Sequence, residues 1–238
     1  MKKIIYTILI FTGITTFAQE TKHSKTSLDF SADFQSRYIW RGLEFGGNSV
    51  SAQPSLALNS GSFTLGAWAA YSLGGNNTAQ EADLYLSIAL SKTATATLTD
   101  YYFPQDGISN NYFSYGNNTG HVYELMLSFS SLFKSPLGLT VATNFAGADK
   151  NGTTQNYATY IELNYSKNIN NVSYSLVAGG VVGDNGGYYL TNGTGLINLG
   201  IAASKEIKIS DAFSLPVNAA LTFNPDQENI YLTFGFSL

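Results

Sequence analysis

The chain has 238 residues, of which 44% are hydrophobic and 12% charged, and it contains no cysteine. The lack of cysteine excludes a disulfide framework, a cysteine-ligated metal site and a thiol nucleophile. A net charge of −4 without a basic cluster argues against nucleic-acid binding, and the many aromatic residues argue against intrinsic disorder. A single folded domain of low charge remains, and a β-barrel fits this description.

The N-terminus has the pattern of a secretory signal peptide. Lys2 and Lys3 precede an apolar stretch over 4–11, and small residues follow up to Ala18. We predict a signal peptide over 1–18 and a flexible lead over 19–27. A single membrane-anchoring helix is the alternative, although the apolar run is shorter than the ~20 residues that span a bilayer. The mature protein is therefore expected to be exported.

From Leu28 onward, apolar and polar residues alternate with a period of two, which is typical of strands with one apolar and one polar face. Twelve segments follow this pattern: 28–41, 49–58, 62–73, 81–91, 94–103, 121–129, 137–146, 157–166, 172–182, 195–205, 214–223 and 229–238. Most of them have the ~9–11 residues that a tilted strand needs to cross a bilayer.

The links between these segments alternate between short turns and mostly longer loops rich in Gly and Asn. This pattern is typical of outer-membrane barrels, which have tight periplasmic turns and longer outer loops. Aromatic residues concentrate at both strand ends, as in interfacial belts. The predicted outer belt comprises Tyr38, Trp40, Tyr71, Tyr102, Tyr123, Phe145, Tyr157 and Phe223. We therefore predict an all-β fold, a single transmembrane antiparallel up-and-down β-barrel of about twelve strands over 28–238. A secreted soluble β-sandwich is the alternative fold.

One motif lies at the end of the first predicted segment. It comprises Ser36, Tyr38, Trp40, Arg41 and Gly42, and Trp68 follows in the third segment. With these residues, the stretch 33–104 resembles the TorF-like porin family of bacterial outer-membrane proteins. The resemblance implies an outer-membrane barrel that acts as a porin. The end of the signal peptide, Phe17-Ala18-Gln19, is similar to those of Bacteroidota.

Charged side chains share the register of the predicted inner wall, where a membrane barrel must keep them. The residues predicted to line the pore are Asp29, Asp33, Arg37, Asp83, Glu124, Glu162, Trp68, Tyr85, Tyr160 and Tyr231. Glu81 has the same register at the outer mouth, and we expect Arg37 to pair with acids across the lumen. The excess of acids would favour cations. A salt-bridge network that plugs the barrel is the alternative.

The sequence indicates neither a catalytic site nor a metal site. His121 is the one histidine in the barrel region, and neither a G-x-S-x-G elbow nor another recognisable partner lies near it, so we interpret it as a loop-edge residue. The segments after Asp149 and Asp184 lack the later Glu of a calcium loop and are interpreted as turns. We therefore expect no enzymatic activity, no cofactor and no metal.

The predicted function is that of a porin in a Gram-negative outer membrane. It would pass small hydrophilic solutes by passive diffusion with a mild preference for cations. Its partners would be outer-membrane lipid and, during biogenesis, the barrel-assembly machinery. The loop 104–120 could fold inward and control the passage. The alternative is a non-conducting structural or adhesion barrel that binds a partner through its outer loops, and an outer-membrane enzyme is a third possibility, disfavoured by the shortage of histidine.

Overall fold

The computed structural model describes residues 26–74, 80–104, 111–115 and 120–238. Its strands are β1 (Ser27–Gln35), β2 (Tyr38–Trp40), β3 (Leu43–Phe45), β4 (Ser51–Ser60), β5 (Phe63–Ser72), β6 (Gln80–Ala89), β7 (Ala94–Tyr102), β8 (His121–Leu132), β9 (Leu137–Gly147), β10 (Lys150–Asn151), β11 (Thr154–Gln155), β12 (Thr159–Ile169), β13 (Val172–Asp184), β14 (Gly193–Lys208), β15 (Ser214–Asn224) and β16 (Asn229–Ser237). Twelve of these strands form a closed barrel, while β2–β3 and β10–β11 are separate hairpins. Neighbouring barrel strands are antiparallel, so the predicted twelve-strand barrel is confirmed.

The outer face of the barrel wall is apolar and the inner face is polar, which is the reverse of a soluble protein. On β6, Leu84 and Leu86 point outward and are 47% and 38% exposed, whereas Asp83 and Ser87 point inward and are buried. The same alternation holds on β12, where Ile161 and Leu163 are exposed and Glu162 is buried. Since the side-chain period of a strand is two, one face of each strand lines the lumen and the other forms the outer wall.

The barrel closes between β1 and β16. Asp33 lies opposite Ser237, and the rings of Phe34 and Phe236 stack with centroids 5.2 Å apart. Beyond the ladder, the Ser36 amide donates to the Phe234 carbonyl at 2.8 Å. Over 32–36, this closure pairs backbone groups that an open sheet would leave along its edge.

The two ends of the barrel carry different connections. We call the end with the short links 61–62, 90–93, 133–136, 170–171 and 209–213 the turn end. At the opposite end, the loop end, the strands are joined by the links 36–50, 73–79, 103–120, 148–158, 185–192 and 225–228. β1 begins and β16 finishes at the turn end, and successive links alternate between the two ends as an up-and-down topology requires. The loop-end links are the longer ones apart from 225–228. Among the described residues, no helix is long and apolar enough to span a membrane.

The structure corrects the first predicted strand and part of the outer aromatic belt. β1 ends at Gln35 rather than at residue 41, and Tyr38 and Trp40 belong to β2. Both side chains are buried inside the barrel, whereas Tyr71 and Tyr157 are exposed at the loop end as predicted. β1 also begins at Ser27, the last residue of the predicted lead. The predicted signal peptide lies outside the described residues, as does the lead before residue 26.

Candidate functional site

The link between β1 and β4 folds back into the lumen. We call residues 38–45, which form β2, β3 and their turn, the luminal hairpin. The Tyr38 hydroxyl donates to the Glu81 carboxylate on β6 at 2.7 Å, and the Gly42 carbonyl accepts a hydrogen bond of 3.1 Å from the Asn224 amide on β15. In the barrel order, β6 and β15 lie on nearly opposite sides. The luminal hairpin therefore reaches across the lumen.

The turn of the luminal hairpin has a backbone that suits a tight two-residue connection. Arg41 and Gly42 have φ values of 49° and 81°, as a type I′ turn requires at both central positions. A Cβ on residue 42 would lie 1.8 Å from the Ile197 carbonyl oxygen on β14. Glycine is therefore required at this position both by the turn and by the approach of the turn to the wall.

Arg41 is a fully enclosed charge of the lumen, at 1% exposure. Its guanidinium forms a bidentate ion pair with Glu124 on β8, and the Nη2–Oε1 distance is 2.9 Å. Nη1 also donates to the Tyr189 hydroxyl. The Trp40 and Tyr160 rings lie 4.5 and 4.6 Å from the guanidinium carbon. Burial would lower the pKa of Arg41, but the charge of Glu124 and the neighbouring Tyr189 and Tyr101 together raise it.

A second polar cluster adjoins Arg41 on the other side of Tyr160. The Tyr160 hydroxyl donates to Glu162 at 2.6 Å, and the Asn198 amide donates to the Tyr160 hydroxyl at 2.9 Å. Tyr189 lies over Trp40 with parallel rings 5.4 Å apart, and burial raises its pKa above that of a free phenol. These packed rings and hydrogen bonds fill the lumen at the level of Arg41.

A cavity of about 150 Å³ lies on the turn-end side of the luminal hairpin. Its walls include Asp33 on β1, Trp68 on β5, and Asp83 and Tyr85 on β6. Both aspartates are 6% exposed, and Oδ1 of each has no hydrogen-bond partner among the described residues. The cavity therefore presents carboxylate oxygens and aromatic rings to whatever occupies it.

Nearer the turn end, the inward-facing side chains become small and polar. Thr64, Ser87, Thr97 and Ser175 are buried in the inner wall, and the Ser87 and Thr97 hydroxyls share a hydrogen bond of 2.8 Å. Side chains of this length do not meet across the lumen, unlike the packed rings at the level of Arg41.

The remaining predicted pore residues lie at the margins of the lumen. Asp29 is exposed near the turn end and accepts a hydrogen bond of 2.6 Å from Asn59. Tyr231 interacts electrostatically with Arg37 and Glu44. The predicted position of Arg37 on the first wall strand is wrong, because Arg37 lies between β1 and β2. Its guanidinium pairs with Glu44 at 2.7 Å. That these residues line a conducting path stays a prediction.

The described part of the loop 104–120 lies on the outer wall rather than in the lumen. Its residue Tyr112 accepts a hydrogen bond from His121 Nε2 at 2.6 Å through its backbone carbonyl, and its hydroxyl lies 3.3 Å from Asp100. Asp100 also binds His121 Nδ1 at 2.7 Å. His121 and Asp100 alternate with the inward-facing Tyr101 and Val122, so they point outward. His121 thus has a partner that the sequence did not indicate, but a backbone carbonyl occupies its second nitrogen.

The two turns that resemble calcium loops use their carboxylates as backbone caps. Asp184 accepts hydrogen bonds from the amides of Tyr189 and Thr191, and Asp149 accepts one from the amide of Ala158 at 3.0 Å. Burial raises the pKa of Asp149. These contacts agree with the interpretation of both segments as turns.

Sequence reasoning did not predict the luminal position of Arg41 or of Tyr189. A signal for the hairpin is present, because two short runs with aromatic and aliphatic residues, 38–40 and 43–45, flank an Arg-Gly pair, and two residues with glycine second are typical of a tight hairpin. No comparable local signal marks Tyr189, which reaches the lumen from the link between β13 and β14.

A family model described as a bacterial protein of unknown function (Gcw_chp) matches residues 19–232. The match extends from the predicted cleavage point into β16 and covers the luminal hairpin. A search of curated proteins finds no match. The resemblance to TorF-like porins stays a prediction, since the family description refers to no pore.

Proposed function

Since the chain belongs to the bacterial Gcw_chp family, we propose that it is an outer-membrane β-barrel that passes small hydrophilic solutes when the luminal hairpin leaves the lumen. The apolar outer wall carries the membrane part of this proposal. Outward side chains such as Leu232, which is 67% exposed, would cost about 25 cal/mol per Å² of apolar surface in water. A bilayer removes this cost, and closure of the barrel pairs the backbone groups within it.

The polar lumen supports conduction. A barrel of eight strands is just wide enough for side chains to fill its interior, and twelve strands enclose more space. Near the turn end, the inner wall carries short polar side chains such as Thr64, Ser87 and Thr97. The passage is filled at the luminal hairpin, which is a connection between strands and not part of the wall. Its withdrawal would leave the twelve barrel strands paired. The hairpin therefore has the properties of a gate, and the resemblance to TorF-like porins favours the same function.

A preference for cations follows from the charges that the lumen leaves unmatched. Glu124 is paired with Arg41 and Glu44 with Arg37. Asp33, Asp83 and Glu162 have no ion-pair partner among the described residues. A pore lined by excess acids lowers the free energy of cations within it.

Single-channel current in a planar bilayer under a KCl gradient tests this function. We expect rare openings for the unaltered protein, more frequent openings for Gly42→Ala, which forces the hairpin turn off the wall, and a reversal potential of cation selectivity. Gly152→Ala is the control, because its Cβ meets nothing within 4 Å. Silence of both variants, with insertion verified by heat-modifiable gel mobility, would contradict conduction.

The second candidate is a non-conducting barrel that binds a partner through its loop-end connections. The enclosed Arg41–Glu124 pair favours it, because such a pair holds the hairpin in place. If this second function holds, the Gly42→Ala variant would still bind its partner through the loop end, and it would show no current in the bilayer. We expect no enzymatic activity for either candidate.

A further inference from the structure

We infer that the cavity between the luminal hairpin and the turn end binds a small organic cation of the aliphatic ammonium or guanidinium class. The site is formed by Asp33, Asp83, Trp68 and Tyr85. This inference goes beyond the proposed function, because occupation of the cavity requires entry from the turn end but no conduction through the barrel.

The two carboxylates that line the cavity favour a bound cation. Asp33 and Asp83 are each more than nine-tenths buried, and one carboxylate oxygen of each has no hydrogen-bond partner among the described residues. Asp33 has a hydrogen bond with Ser237, and Asp83 has hydrogen bonds with Glu81 and the Tyr102 backbone. A buried carboxylate oxygen that still lacks a donor is costly, and a bound donor of positive charge removes that cost. The arginines that border the cavity are already committed, Arg37 to Glu44 and Arg41 to Glu124.

The walls favour an organic cation over a metal ion. Trp68 lies directly opposite Asp83 in the register of β5 and β6, so an indole ring and a carboxylate are neighbours on one wall. Aromatic rings attract ammonium and guanidinium groups and also pack against their methylene carbons. Within the described residues, no three side chains of His, Cys, Asp or Glu are grouped as a metal ion would need.

The size of the cavity and its approach agree with this class of ligand. A volume of about 150 Å³ exceeds that of a bare ion and is comparable to a protein cavity that holds benzene. Entry from the turn end passes Thr64, Ser87 and Thr97, whose short hydroxyl side chains let a hydrated cation approach.

Calorimetric titration of the purified barrel with putrescine, a four-carbon diammonium compound, tests the inference. We expect saturable binding that Asp33→Asn and Asp83→Asn each weaken by about tenfold, since each removes a charged hydrogen-bond acceptor. Asp29→Asn is the matched control, because Asp29 shares the register but lies outside the cavity. Quenching of tryptophan emission in Trp40→Phe, in which Trp68 is the one remaining tryptophan, gives a second readout.

Three results would overturn the inference. These are no saturable binding of putrescine, an equal loss of affinity in Asp29→Asn, and displacement of putrescine by equimolar KCl or MgCl₂, which would indicate a site for inorganic cations. Heat-modifiable gel mobility verifies the fold of each variant, and Asp33→Asn alone suffices if Asp83→Asn does not fold. Putrescine binding by a barrel that is silent in planar bilayers would contradict conduction and leave the cation site intact.

Discussion

Arg41 and Glu124 form a bidentate ion pair across the lumen, joining the turn of the luminal hairpin to β8 with an Nη2–Oε1 distance of 2.9 Å. Each residue is 1% exposed. Loss of one partner from such a buried pair typically costs about 3–5 kcal/mol, because the other charge stays buried without compensation, whereas apolar replacement of both is often neutral or stabilising. This ion pair therefore fixes where the hairpin lies.

We predict that Glu124→Leu lowers the free energy of unfolding by about 3 kcal/mol, because Arg41 then lacks its counter-charge. The double substitution Arg41→Met with Glu124→Leu is expected to recover most of this loss. Denaturant titration of the unaltered protein, Arg41→Met, Glu124→Leu and the double variant measures the effect in a double-mutant cycle. Additive losses in the double variant would contradict the assignment of the pair as a coupled unit.

A second prediction concerns the turn of the luminal hairpin. Gly42→Ala places a Cβ where the Ile197 carbonyl oxygen lies 1.8 Å away, so the turn must leave the wall and expose Trp40. We expect a red shift of tryptophan emission and stronger quenching by acrylamide.

Gly152→Ala separates this clash from backbone strain. Gly152 also has a positive φ, 62° against 81°, and both substitutions therefore place alanine in the left-handed region at ~1–2 kcal/mol. A Cβ on residue 152 meets no atom within 4 Å, so we expect no change in tryptophan emission. Equal shifts in the two variants would mean that strain, and not contact with β14, positions the hairpin.

A third prediction concerns residues 111–115, which His121 holds on the outer wall. His121→Ala removes the hydrogen bonds to the Tyr112 carbonyl and to Asp100. Because each bond contributes about 1 kcal/mol, we expect chymotrypsin to cleave next to Tyr112, Phe113 or Tyr115 at least tenfold faster. Phe145→Ala, another outward-facing substitution at the loop end, is the control. An unchanged cleavage rate in His121→Ala would show that other contacts hold this segment.

The barrel could be predicted from sequence because successive residues of a strand point to opposite faces, so an apolar and a polar face appear as local alternation. The alternation around Leu84 requires no knowledge of the rest of the chain. The luminal hairpin also carries residues that favour strands, such as Tyr38, Ile39 and Trp40, and these residues favour a strand equally whether it joins the wall or lies inside it. The predicted strand 28–41 is therefore too long, because its last residues form a strand of the luminal hairpin instead of continuing the wall.

The packing of the lumen depends on contacts that no local pattern encodes. A Cβ on Gly66 would lie 2.1 Å from the Tyr85 ring, and one on Gly179 would lie 2.1 Å from the Tyr160 hydroxyl. Each tyrosine thus needs a glycine on a neighbouring strand. The inward register of Tyr85 and Tyr160 follows from period two, but their glycine partners become visible only once the strands are aligned.

The last prediction concerns alkaline pH. Burial raises the pKa of Tyr188 and Tyr189 in the folded barrel well above 10.0. Their contribution to stability is therefore fully present below pH 10. It is lost as the pH rises through the folded pKa, because the unfolded chain releases phenolic protons that the folded barrel retains. Between pH 8 and 11, each such tyrosine lowers the free energy of unfolding by about 1.4 kcal/mol.

Denaturant titration at pH 8 and pH 11 measures this loss in the unaltered protein and in Tyr188→Phe. Tyr188 is the suitable position, because its hydroxyl has no hydrogen-bond partner among the described residues, whereas the hydroxyl of Tyr189 binds Arg41. We expect the loss to shrink by about 1.4 kcal/mol in Tyr188→Phe and to stay unchanged in Tyr157→Phe, which replaces an exposed tyrosine. The same loss in all three proteins would place Tyr188 in contact with water and contradict its enclosure by the luminal hairpin.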